Sequence, residues 1–150
     1  ANMDLLENPL PIDLHDKKWR IYARNPGLAP HFIAEGGSVK NSLITEGCEV
    51  FGTATSSVLF AGVTVEEGAV VRDSIVMPNA VIKKGANVRY SIIAENVIVG
   101  ENADIGGDPA VVGSKDWGIT VVGDNLTIGS EAQIGANKMV TENVKEGEKI

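Results

Sequence analysis

Between Ser57 and Gly107 the aliphatic positions return at a fixed interval. Cut into equal pieces, the stretch reads SVLFAGVTVEEGAVVRD, SIVMPNAVIKKGANVRY and SIIAENVIVGENADIGG, each 17 residues long. Every piece opens on Ser followed by two aliphatic residues. Inside the pieces the apolar positions fall six, six and five apart: Leu59, Val65 and Val71, then Val76, Ile82 and Val88, then Ile93, Val99 and Ile105. A fixed short repeat marks an array of stacked units, each burying its apolar side against the next. Three aliphatic positions per unit predict a coil of three short strands, and so an all-β chain folded as a parallel β-helix. Alternate strand residues face opposite ways. Val63 and Val65 therefore point inward and Thr64 outward. A plain β-sandwich with frequent turns gives no reason for identical columns at equal spacing.

The corners are legible too. One column runs Gly47, Gly62, Asn79, Asn96 and Asn125, and another Gly68, Gly85 and Asn102. Tight corners need left-handed backbone, which Gly adopts freely and Asn more readily than most residues. Val99-Gly100-Glu101-Asn102-Ala103 has the form of a hexapeptide repeat, aliphatic, then Gly, with a small residue in fifth place.

The pattern extends both ways. Ser42–Ser56 reads as a first coil two residues shorter, with Leu43 and Ile44 aligned to Val58 and Leu59. Terminal coils of solenoids are commonly atypical because they close an open edge. DPAVVGSKDWGIT (Asp108–Thr120) breaks the period and predicts an inserted loop near 107–120, anchored by Trp117. VVGDNLTIGSEAQIGA (Val121–Ala136) then restores it. Residues 38–150 thus form the β-helix domain. Residues 1–37 carry Pro9, Pro11, Pro26 and Pro30, which forbid a long helix. They predict an extended linker packed on the first coil, with Trp19, Tyr22 and Phe32 as anchors. Asn2–Leu6 fits the last turn of a helix.

Two outward columns bear on function. Leu43, Val58, Ile75, Ile92 and Val121 lie next to the core column and predict an aliphatic stripe outside, the mark of an interface. The alternative is a bulge that tucks both columns inside. Arg72 and Arg89 predict a basic column without acidic partners, whereas Glu66 and Glu67 stack on Lys83 and Lys84 as ordinary surface pairs.

Composition narrows the classes. The formal net charge of −7 argues against a general binder of nucleic acid or anionic membrane. No apolar run reaches the length of a membrane span and no signal peptide is recognisable, so the cytoplasm is the expected compartment. The single Cys48 rules out an internal disulfide and stands in the apolar column with Val63, Ala80 and Val97. The two histidines, His15 and His31, both fall in the linker. No catalytic site and no metal site are predicted, and there is no P-loop, GxGxxG or HExxH motif.

The segments ANMDLL, DLHDKKWRIYARNPGLAP, VKNSLITEGCEVFGT and SVLFAGVTVEEGAVVRDSIVMPNAVI together resemble the carboxy-terminal domain of bacterial glucose-1-phosphate adenylyltransferases (ADP-glucose pyrophosphorylases). The resemblance implies a left-handed β-helix, against the usual right-handed crossover. It also implies a parent enzyme of glycogen synthesis that makes ADP-glucose and pyrophosphate from ATP and glucose 1-phosphate. Catalysis and its Mg²⁺ would belong to an amino-terminal α/β domain, leaving this fragment inactive alone and without a cofactor. The implied partners are that domain, further copies in a homotetramer, a paralogous subunit in some bacteria, and a phosphorylated small-molecule effector.

Effector phosphates call for Arg or Lys clusters. Charge alone offers Arg72 and Arg89, with Arg24 and Lys40 nearer the linker. Two other classes stay open. A hexapeptide acyltransferase would bind coenzyme A between subunits, but it relies on a His base, and the coils have none. A free-standing assembly module would have no ligand at all.

Overall fold

The structure is a computed structural model that describes residues 2–20 and 22–150. Ile21, part of the extended linker reading, lies outside the described residues. From Phe32 onward the chain winds through three six-stranded sheets, every neighbouring pair of strands parallel. Successive strands along the chain belong to different sheets, so each circuit of the three adds one rung to all of them. This is the parallel β-helix that the period predicts.

Register reproduces the spacing. Val50 pairs with Val65, 15 residues on, which is the shorter first coil. Val65 then pairs with Ile82, and Ile82 with Val99, each 17 residues on. Ile92 pairs with Val121 across the inserted segment, so the loop leaves the ladder unbroken. All nine positions of the series from Leu59 to Ile105 are fully buried. Each such aliphatic side chain contributes about 1.5–3 kcal/mol through burial. Cys48 is among the core residues, and its thiol donates to the Phe60 carbonyl at 3.0 Å.

Both foreseen corner columns have positive φ, from Gly62 at 73° to Asn96 at 57° and from Gly68 at 73° to Asn102 at 55°. The third corner carries no Gly. On the coils before the inserted loop it consists of Asn41, Ser56, Asp73 and Tyr90, with φ of 46–49°. Each is followed by a Ser, and Ser57, Ser74 and Ser91 are buried. Their hydroxyls knit the corner together. Ser74 Oγ donates to the Arg72 carbonyl at 2.7 Å, and the Ser74 amide donates to Ser57 Oγ at 3.2 Å.

The solenoid starts inside the stretch read as linker, because Phe32–Ile33 pairs with Glu49–Val50. The expected aromatic anchors behave differently from one another. Phe32 meets the Phe51 ring at 6.0 Å between centroids. Trp19 and Tyr22 are 71% and 83% exposed and so are not packed as anchors among the described residues. Nearer the coils, Leu28 packs on the first corner at Gly47. The absence of a side chain at Gly47 lets Leu28 Cδ1 approach to 2.6 Å of where a Cβ would stand. The Gly47 amide also donates to the Ala29 carbonyl at 2.6 Å. Asn2–Leu6 is a 3₁₀ helix.

Candidate functional site

The second face carries Lys40, Thr55, Arg72 and Arg89 in direct register, one above the other. Neighbouring rungs stand about 4.8 Å apart. Two guanidinium groups at that spacing repel unless carboxylates intervene. The structure supplies them, so the expectation of an unpaired basic column is corrected. Arg89 forms a fork with Asp104, Nη1 to Oδ1 at 2.5 Å and Nη2 to Oδ2 at 2.8 Å. Asp104 sits one coil on, in register with Asn87, whose Nδ2 donates to it at 3.1 Å. Arg72 Nη2 donates to Asp108 Oδ2 at 2.8 Å, and Nε lies 3.7 Å from Asp73. Its guanidinium also stands 5.5 Å from the centre of the Tyr90 ring.

The electrostatics follow from these contacts. The Ala110 amide, and next the Arg72 guanidinium, hold the Asp108 carboxyl below the usual carboxylate range. Hydrogen bonding to Asp108 raises Arg72 further. Burial first, and then the Asp73 charge, push the Tyr90 phenol up.

Beyond Arg89 the column loses its side chains. Gly106 and Gly135 follow Ile105 and Ile134, the next two partners in the Val88 row. Gly106 is demanded sterically, since a Cβ there would stand 1.9 Å from the Arg89 carbonyl oxygen. Stripped of side chains, this part of the face opens as a groove of about 740 Å³. Arg72, Arg89, Asp108, Val112 and Lys149 line it.

The inserted loop forms one wall. Asp108 caps the short helix Pro109–Val112 by accepting from the Ala110 amide at 2.9 Å. Trp117 anchors the loop as expected: its indole N–H donates to the Gly107 carbonyl at 2.6 Å, and its ring meets Tyr90 edge-on at 5.6 Å.

The effector candidates therefore separate. Arg72 and Arg89 meet at the groove, and Lys40 stands two rungs from Arg72 on the same face. Arg24 is exposed in the segment before Phe32, outside the sheets. Sequence reasoning missed Asp104, Asp108, Tyr90 and Lys149. An offset two short of a coil, from Arg89 to Asp104, was a usable signal. Asp108 lies in the loop, where the period says nothing.

The aliphatic column also has the predicted direction. Leu43, Val58, Ile75, Ile92 and Val121 pair rung to rung on the outside of the third face. Val58 is buried and the other four are half-buried. A cavity of about 240 Å³ on this face is lined by Met3 of the 3₁₀ helix together with Ile75, Ile92, Tyr90, Trp117 and Ile119. Of the surface charges, Lys84 meets Glu67 at 3.5 Å. Glu66 instead accepts from the Lys84 amide at 2.9 Å. Among the described residues no three His, Cys, Asp or Glu side chains are grouped to hold a metal ion. No described helix is long and apolar enough to cross a membrane.

Two comparisons bear on the family. Over 78 residues the chain is 55% identical to proteins named glucose-1-phosphate adenylyltransferase from Bacillus mycoides (strain KBAB4), Bacillus cereus (strain ATCC 10987 / NRS 248) and Bacillus anthracis. That match covers 52% of this chain and 21% of each relative, so the chain spans about a fifth of their length. The family described as GlmU-like, C-terminal hexapeptide matches residues 30–122, which takes in most of the coils and more than half of the chain. The chain belongs to the GlmU-like C-terminal hexapeptide family.

Proposed function

We propose that this chain is the carboxy-terminal assembly and regulatory domain of a glucose-1-phosphate adenylyltransferase, an enzyme that joins ATP and glucose 1-phosphate to give ADP-glucose and pyrophosphate. The observation that carries this reading is the 55% identity to proteins of that name over a fifth of their length. Catalysis, with its Mg²⁺, falls to an upstream domain, and the chain alone is inactive. The outward aliphatic column supports an assembly role, with the homo-oligomer, a paralogous subunit and the catalytic domain as its partners. Trp19 and Tyr22, exposed in the linker, offer further contact surface. The Arg72–Arg89 groove supports binding of a phosphorylated effector, with Lys40 and Arg24 as outlying cations. The setting is the cytoplasm.

The first experiment is the mass of the native protein in its source cell, detected with an antibody to this domain, followed by assay of that protein for ADP-glucose formation. A protein several times longer that makes ADP-glucose supports the proposal. A protein of 150 residues, or a longer one without the activity, overturns it. In the longer enzyme, replacing both Arg72 and Arg89 with Ala is expected to blunt activation. An unchanged effector response would remove those two residues from the effector site.

A further inference from the structure

The two arginines of the groove are neutralised in different ways. Asp104 belongs to a strand, grips Arg89 with both oxygens, and is itself held by Asn87. Asp108 belongs to the inserted loop and reaches Arg72 through one oxygen. The Arg72 side chain remains 40% exposed. A guanidinium presents a planar fork of donors that suits carboxylate and phosphate alike. At Arg72 that fork is only partly used.

The loop has few other ties. Among the described residues, the backbone hydrogen bonds made by amides 111–117 end on Asp108, Pro109 or Gly113, all within the loop itself. Residues 110–116 are exposed throughout. The loop is fastened to the coils by the Arg72–Asp108 pair at its start, by Val112 beside Ala136 at Gly107, by the Trp117 contacts with Gly107 and Tyr90, and at its end by the Asn137 amide, which donates to the Gly118 carbonyl at 2.8 Å. Arg72 stands at the centre of this arrangement, since it also faces the Tyr90 ring.

We propose that Asp108 is a resident occupant of an oxyanion site at Arg72, and that a phosphate-bearing ligand entering the groove displaces it and frees the loop. With Asp108 withdrawn, Arg72 joins Lys149 as a cation facing the groove, beside the Arg89–Asp104 pair. The loop helix bearing Val111 and Val112 loses the contact that holds its first turn against the second face. Binding at the groove is thereby converted into exposure of the third face, because Tyr90 and Trp117 also line the apolar cavity with Ile75 and Ile92. This inference rests on the reading of Arg72 and Arg89 as an effector site and adds the means by which occupancy is signalled.

Inorganic phosphate is the probe, compared with chloride at matched ionic strength. Two readouts follow the loop: tryptic cleavage after the exposed Lys115, and emission from Trp117 in a Trp19→Phe background. Phosphate is expected to speed cleavage and shift the emission to the red, saturably. Asp108→Asn should release the loop without phosphate and bind phosphate about tenfold more tightly, the worth of one charge-assisted hydrogen bond. Arg72→Gln should release the loop and abolish the phosphate response. Calorimetric binding of phosphate without faster cleavage would overturn the displacement and leave the effector site standing. No binding would overturn both. ADP-glucose formation by the longer protein is measured apart from these assays, so its failure is distinguishable from theirs.

Discussion

The amide of Ser91 donates to Oγ of Ser74 at 3.1 Å, one coil away, while that same hydroxyl donates to the Arg72 carbonyl at 2.7 Å. Ser74 thus serves two backbone groups at the corner, the Arg72 carbonyl, which also accepts from the Tyr90 amide at 3.1 Å, and the Ser91 amide. Only 1% of Ser74 is exposed, so water cannot replace it. Ser74→Ala should cost about 1–3 kcal/mol by leaving the Ser91 amide without its acceptor. Urea denaturation should show a lower midpoint with an unchanged slope.

The Asn corners make a graded prediction. Asn96 has φ of 57°. Asn96→Ala should cost about 1–2 kcal/mol, the strain of an ordinary side chain in left-handed backbone. Asn96→Gly should be nearly neutral. Equal losses for both variants would mean that the side-chain bond from Asn96 Nδ2 to Asn125 Oδ1, at 3.0 Å, matters more than the backbone.

Ile75→Asp and Ile92→Asp test the outward column. Both residues are half-buried and lie outside the core. Each variant should lower the mass found by sedimentation equilibrium while leaving the far-ultraviolet circular dichroism unchanged. Lost dichroism would show that these side chains hold the coil itself.

Cys48 offers a reporter of opening. It is wholly buried, and burial pushes its thiol pKa up. The thiolate is the reactive form. Iodoacetamide should therefore label native protein far more slowly than unfolded protein, at a rate that tracks the opening of the first coils.

Acid should loosen the loop. The Asp108 carboxyl is held below the usual carboxylate range by the Ala110 amide and Arg72. A group lowered in the folded state contributes stability above its unfolded pKa, and this is lost as pH falls through the folded value. Trp117 emission should then shift at acid pH, and Asp108→Asn should remove that transition.

The fold was readable because its determinants repeat. Core aliphatics, Gly and Asn corners and the short first coil each recur down a column, so one misread residue is outvoted by its neighbours. The third corner escaped notice because Asn41, Ser56, Asp73 and Tyr90 share no chemistry; what these four have in common is the Ser that follows. The arginine column was visible, but its neutralisation was not. Asp104 pairs diagonally, two positions away from the row of Arg89, and Asp108 belongs to an aperiodic loop placed only by tertiary contact. Trp19 and Tyr22, read as anchors, stand exposed, because aromatic character marks a large apolar side chain without saying where it packs.

The loop between Ile92 and Val121 also alters how far the growing solenoid must reach. Elsewhere a new rung joins residues 15 to 18 apart, 17 in the regular coils as from Ile75 to Ile92, but here the partners are 29 apart. For a flexible chain the longer closure adds about 0.5 kcal/mol of lost entropy. The sum is small for stability, yet it falls on a single step. Rungs on either side of that step propagate at shorter intervals, so crossing the loop carries the largest closure cost of the ladder.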